Sequence, residues 1–227
     1  MKKHVSNTAI LLFAQTAKAD ALHKKLAHNS AVMDVLNSKV MRTVESTGLD
    51  YFHFTEKEQY GLNFGERLAN SIQEVFDKGY ESVICLGNDT PLLTISLIQD
   101  AAAALETGKV VKGKSLDGGV YLIGLHKNLF DHTSFQALPW QSSALAVAFH
   151  KYIASQNQRL LVLEALADID TEQDLEDFLT GKDARDAIIR MLLMALSRKR
   201  NNYKHLKEPL SYILFSTPLN KGSPLAA

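Results

Sequence analysis

The chain has 227 residues at 25.2 kDa, 46% of them apolar and 22% charged, with 25 basic and 25 acidic side chains in balance. This composition excludes collagen-like, wholly disordered and membrane-spanning classes, and it offers no global positive field to hold nucleic acid or an anionic membrane. The balance is uneven: residues 1–180 hold 16 basic and 22 acidic residues, residues 181–227 hold 9 and 3, so a body of net −6 precedes a tail of net +6. Lys2, Lys3 and His4 precede an apolar run, Ala9–Ala14, that is too short for an export signal. The lone Cys85 lies in Val83-Ile84-Cys85-Leu86, reads as a buried thiol and fits a reducing compartment, so the expected location is the cytoplasm.

Ala9–Ala14 reads as a strand covered on both faces of a parallel sheet. From Ser30, an expected N-cap, Val32, Val35, Leu36, Val40 and Val44 recur at helical spacing until Gly48, and a strand around Tyr51–Phe54 follows. Glu66–Lys78 places Leu68, Ile72, Val75 and Phe76 on one helical face before Gly79, and Ser82–Leu86 is a further buried strand. Thr90-Pro91 predicts the next helix start, with Thr as N-cap and Pro in the first turn, running to Gly108. Short strands are expected at Lys109–Val111 and Val120–Leu125, the second entered through Asp117-Gly118-Gly119. Ser142 or Ser143 is an expected cap for a helix through Ile153, Leu160–Leu163 is a strand, and Thr171-x-x-Asp174 resembles a capping box opening a helix to Gly181.

Strands alternating with helices predict an α/β fold, a mainly parallel sheet with helices on both faces over residues 1–181. Residues 182–227 form a separate unit. There Ile188, Ile189, Leu192, Leu193 and Leu196 make an apolar stripe ending in Arg198-Lys199-Arg200, a basic amphipathic helix suited first to packing on the acidic body with its basic end solvated, and otherwise to binding a membrane, self-association or partner docking.

Loops at the carboxyl ends of strands border the ligand crevice of an open parallel sheet, which singles out Gly87-Asn88-Asp89-Thr90-Pro91. An ionised Asp89 there suits either a divalent cation bridging nucleotide phosphates or the cap of a helix. Asp168-Ile169-Asp170 follows the strand at Leu160–Leu163 and offers two carboxylates, one of which could meet Asp89. Asp117-Gly118-Gly119 reads equally as a hairpin turn. Tyr60–Arg67 opens a helix whose N-terminus favours phosphate, with Arg67 placed for a bidentate contact or for the helix surface. No histidine spacing suits zinc and no Gly-x-Ser-x-Gly elbow is present, so hydrolase triads and zinc sites are poorly supported.

Five segments in order, Asn63–Asn70, Gly87–Pro91, Asp117–Gly124, Leu138-Pro139-Trp140 and Asp168–Leu175, resemble the radical-SAM/selenodomain-associated transferase family. This is a glycosyltransferase-like branch of the nucleotide-diphospho-sugar transferases with the GT-A fold. The resemblance spans about residues 9–180. It implies a Rossmann-like domain that binds a nucleoside diphosphate sugar through Mg²⁺ or Mn²⁺ and transfers the sugar to an acceptor. It further implies Asp89 and Asp170 as metal contacts and Asp117, with Gly118 and Gly119, as the catalytic loop, with Trp140 helping to hold the acceptor. Where the family has a glycine and then Lys-Thr-Arg-Leu after the first strand, this chain has Asp20 and His23-Lys24-Lys25-Leu26, so His23 and Lys25 stand at phosphate-handling positions without the arginine fork. The family's Glu before Asp-Gly-Gly is Leu116, and its Asp before Gly-Glu-Arg is replaced within Leu62-Asn63-Phe64. A nucleotidyltransferase of the same fold, or a binding protein that has lost catalysis, are the alternatives.

Overall fold

In the computed structural model, residues 7–24, 30–142, 144–156 and 158–180 are described. Six strands, β1 (Thr8–Phe13), β2 (Asp50–Phe54), β3 (Ser82–Leu86), β4 (Val110–Ser115), β5 (Val120–His126) and β6 (Leu160–Leu166), form one sheet in the order β2-β1-β3-β5-β4-β6. β5 alone runs antiparallel to its neighbours β3 and β4, so the carboxyl ends of the other five strands share one edge. The mainly parallel α/β architecture expected from the sequence is therefore present. The expected C-terminal helix falls in residues 181–227, outside the described residues.

Alternation along the strands sorts the core into two layers. Ile10, Leu12, Ile84 and Leu86 face helices α2 (Ser30–Glu45) and α4 (Ile95–Glu106) on one side of the sheet. Ala9, Leu11, Val83 and Cys85 face α3 (Phe64–Asp77) and α6 (Leu145–Ala154) on the other. Each fully buried large apolar side chain here contributes about 1.5–3 kcal/mol through the hydrophobic effect. The Cys85 thiol is pushed up to about 12 by burial, in keeping with an inert core cysteine.

Several predicted boundaries move. The α4 start shifts from Thr90 to Thr94, whose hydroxyl accepts from the Leu97 N–H at 3.3 Å. Thr90–Leu93 instead forms a turn, because burial of Leu92 and Leu93 draws the segment into the core before a helix can begin. α6 begins after Ala144 with no side-chain cap, so the Ser142 cap is not formed; its hydroxyl donates to the Pro139 carbonyl at 2.6 Å. Ser143 lies outside the described residues. β4 runs on past Val111 to Ser115 because pairing with both β5 and β6 overrides its polar Lys112-Gly113-Lys114 pattern. Two helices have no counterpart in the sequence reading: α1 (Ala17–His23), capped by Thr16, and α5 (His132–Gln136), capped by Asp131. α7 (Glu172–Thr180) opens as expected, with the Asp174 N–H donating to Thr171 Oγ1 at 3.2 Å and the Thr171 N–H to Asp174 Oδ2 at 2.7 Å. No helix among the described residues is long and apolar enough to cross a membrane.

Candidate functional site

Four loops meet at the shared strand edge: those leaving β1, β3 and β6, and the turn that joins β4 to β5. Every residue of β3 is buried, so the chain emerges at Gly87-Asn88-Asp89 from a rigid support. The Ile169 N–H donates to the Asp89 carbonyl at 2.9 Å, which ties the loop after β6 to the loop after β3. The Asp89 and Asp170 side chains are thereby brought to the same place.

Lys24, directly after α1, enters between them. Its ammonium lies 2.9 Å from Asp89 Oδ2 and 2.8 Å from Asp170 Oδ1, and it donates to the Ile169 carbonyl at 3.2 Å. Burial works against the charged amine, but the two carboxylates outweigh it and hold its pKa above the ordinary lysine value. The same balance acts on Asp89: burial would raise its carboxyl, and Lys24 holds it below the usual carboxylate range. α1 itself is anchored by Asp20, a buried carboxylate that accepts from Asn88 Nδ2 at 2.5 Å. Desolvation raises the Asp20 pKa in spite of that bond.

On the other flank of the crevice, Lys24 at Asp170 is the one cation among the described residues that pairs with any of three carboxylates. Asp117, Asp168 and Asp170 each present an oxygen within 4.8 Å of the others. Asp117 is set by the hairpin turn, where Gly118 takes φ 98°, a left-handed conformation that a side chain would resist, and the Gly119 N–H donates to Asp117 Oδ1 at 2.7 Å. Asp168 is pushed up to about 7, first by desolvation and then by the charges of Asp89, Asp117 and Asp170. Asp170 is also raised, by burial and by its acidic neighbours, although Lys24 opposes the shift. Three hard carboxylate oxygens in surplus negative charge fit a divalent cation of the Mg²⁺ or Mn²⁺ type.

The predicted residues thus divide. Asp117 and Asp170 join the three-carboxylate group with Gly118 and Gly119 forming its turn, while Asp89 is held by Lys24 beside it. Arg67 and Trp140 lie on the α3–α5 side, and no hydrogen bond or ion pair among the described residues links either to the aspartates. Trp140 packs against Phe64 and Phe135, with ring centroids at 5.8 and 4.9 Å, and donates from Nε1 to the Phe135 carbonyl. It borders a cleft of about 320 Å³ with Asn63, Gly65, Gln136 and Gln141. Gly65 is needed there, since a Cβ would lie 2.3 Å from the Gln136 carbonyl oxygen. Gln141 holds φ 58°, the one non-glycine positive φ among the described residues. The expectations for the His23 side chain and for Lys25 lie outside the described residues.

From sequence, Asp168 counts only as half of a pair and Lys24 only as one of the positive charges, with His23 and Lys25, offered to phosphate; in the structure the Lys24 ammonium is turned instead to Asp89 and Asp170. An Asp-x-Asp placed after a strand points both carboxylates to one side, and that spacing is the signal for Asp168. No local signal marks Lys24, whose partners lie 65 and 145 residues away.

The fold is similar to that of a crystal structure described as a nucleotide-diphospho-sugar transferase from Desulfovibrio desulfuricans G20, with a TM-score of 0.71 and 22% identity, covering 86% of this chain and 98% of that one. Looser similarities are to Rv0371c from Mycobacterium tuberculosis H37Rv (TM-score 0.47, 11% identity, 79% and 100% covered) and a hypothetical transferase from Thermus thermophilus (0.45, 17%, 74% and 98%). The first sets the fold as GT-A-like and the others add nothing to it. No curated protein matches the sequence. Residues 12–142, more than half of the chain and including the Asp89 loop and the Asp117 turn, match the bacterial family described as "Uncharacterized protein conserved in bacteria (DUF2064)", and the chain belongs to that family.

Proposed function

We propose that this protein is a metal-dependent, glycosyltransferase-like member of the nucleotide-diphospho-sugar transferases, of the radical-SAM/selenodomain-associated branch. In this reading it moves a sugar from a nucleoside diphosphate sugar to an acceptor, with Mg²⁺ or Mn²⁺ held by Asp117, Asp168 and Asp170. The observation that carries the reading is the convergence of these three carboxylates, from two loops, at the carboxyl edge of the sheet.

When bound, the divalent ion supplies the positive charge that offsets a departing diphosphate. Asp168 must give up its carboxyl proton to ligate, and its pKa near neutrality sets the pH at which the site becomes ready. Asp117, exposed on the turn, is the member of the metal group most open to an incoming acceptor. Arg67, in the first turns of α3, gives a fork for a phosphate oxygen. The cleft beside Trp140 combines an aromatic ring with the Asn63, Gln136 and Gln141 amides, a lining suited to a hydroxylated acceptor held in line with the breaking bond.

Calorimetry of nucleoside diphosphates and their sugars, with and without Mn²⁺, tests the reading. Binding should require Mn²⁺ and disappear in Asp117→Asn and Asp168→Asn. Nucleotide binding that is indifferent to Mn²⁺, or none at millimolar nucleotide, would overturn it. Release of a nucleoside diphosphate identifies glycosyl transfer, whereas pyrophosphate released from a triphosphate would identify the nucleotidyltransferase chemistry instead.

A further inference from the structure

We infer that Lys24 is a built-in cation of the crevice: its ammonium occupies the position between Asp89 and Asp170 that a second divalent ion would otherwise take, and it confines exchangeable metal to the Asp117, Asp168 and Asp170 flank. This inference rests on the metal-dependent reading above and concerns how many ions the site accepts and where.

An ammonium has three N–H donors and no acceptor. Lys24 meets three acceptors, Asp89 Oδ2 at 2.9 Å, Asp170 Oδ1 at 2.8 Å and the Ile169 carbonyl at 3.2 Å, so every donor is used within the protein. Two consequences follow from that saturation. Lys24 has no donor left for a phosphate oxygen, so it does not replace the family's phosphate-handling residues at the end of this loop. Its single charge is shared between Asp89 and one oxygen of Asp170, so a dication entering there would have to displace an ammonium that is tightly held and largely shielded from water.

The scaffold keeps Lys24 in place from both ends. α1 delivers it, and α1 is fixed through Thr16, whose N–H and hydroxyl donate to Glu56 at 2.8 and 2.9 Å, and through Asp20, which accepts from Asn88 next to Asp89. The acceptors are fixed by the Ile169–Asp89 backbone bond. Asp168 and Asp117 make no ion pair with Lys24, and it is their flank that retains unneutralised carboxylate.

The test is a titration of full-length wild type, Lys24→Met and Lys24→Gln with Mn²⁺ alone, free ion being followed by electron paramagnetic resonance and the fold by circular dichroism. Wild type should bind one Mn²⁺. The Lys24 variants should bind a second ion, or bind Mn²⁺ about tenfold more tightly, because a site gains affinity with each uncompensated carboxylate. Their melting temperature should also rise more with Mn²⁺ than that of wild type, and a variant that folds only when Mn²⁺ is added supports the inference equally. Unchanged stoichiometry and affinity in both variants would overturn it while leaving the metal-dependent reading intact. No binding by wild type but binding by the variants would instead sink that reading and keep Lys24 as the resident cation. No binding by any of the three proteins overturns both.

Discussion

Asp89 and Asp168 border the same crevice, follow strands of the same sheet and are both partly buried, yet their carboxyls are driven in opposite directions. Lys24 pairs with Asp89 and holds it below its ordinary value, whereas Asp168, among carboxylates and with no ion-pair partner among the described residues, is pushed up to about 7. One ammonium therefore divides the acidic crevice into a flank where it offsets the Asp89 charge and a flank that, among the described residues, is short of positive charge. The lesson is that counting aspartates does not locate a cation site; the charge left over after internal pairing does.

Asp170 belongs to both flanks, so its removal should break the comparison most completely. Asp170→Asn is expected to weaken Mn²⁺ binding by about a hundredfold and to loosen Lys24 as well, measured by calorimetry together with the thermal stability of the apo protein. Asp89→Asn should disturb stability while leaving Mn²⁺ affinity far less changed, and equal losses in the two variants would erase the distinction.

The scaffold of the carboxylate-rich flank can be moved without touching a carboxylate. A Cβ at Gly113 would lie 2.4 Å from the Tyr121 ring, beside the point where β4 shifts register against β5 and β6. Gly113→Ala should destabilise the fold by about 1–3 kcal/mol, the range for overpacking, in a urea titration. It should also lower Mn²⁺ affinity, since β4 leads directly into the Asp117 turn.

pH acts on the same flank. A metal must displace the Asp168 proton, so Mn²⁺ affinity should be fully developed above pH 7 and should fall about tenfold as pH drops from 8 to 6. Stability of the apo protein carries the opposite sign: a carboxyl whose folded pKa is raised stabilises the fold at low pH, and that contribution is lost as pH rises from about 4 to about 7. Asp168→Asn should flatten both profiles, and unaltered profiles would remove Asp168 from the explanation.

The smallest effect probes the support of the Asp89 loop. Thr94→Ala should cost about 1 kcal/mol as the loss of the α4 cap, and Thr90→Ala should cost less, as read by chemical denaturation. The reverse order would restore the helix start expected from Thr90-Pro91.

Much of this fold was written locally. Ser82–Leu86 is apolar and bounded by turns, α2 buries Val32, Leu36, Val40 and Val44 as their spacing demands, and Thr171 with Asp174 forms the expected capping box. The Asp-Gly turn is legible because Gly118 answers a backbone requirement, although only the structure shows that the hairpin also carries a member of the carboxylate group. α1 was not legible: its alanine-rich sequence shows no apolar stripe, and tertiary anchors at Glu56 and Asn88 secure it. For the candidate site, sequence pointed to the loops and to Asp89, Asp117 and Asp170. It could not assign the pairing of Lys24, since that choice is made by topology across the sheet.

The division of charge is tested most directly by a carbon-13 NMR titration of the aspartate carboxyls, in the apo protein and with saturating Mg²⁺. Asp168 should titrate near pH 7 in the apo protein and lose that transition when Mg²⁺ is present, while Asp89 should stay ionised to below its ordinary range in both. If Asp168 and Asp89 titrate together in the ordinary carboxylate range, and Mg²⁺ moves neither, the crevice is not divided and the metal site is not where the carboxylates place it.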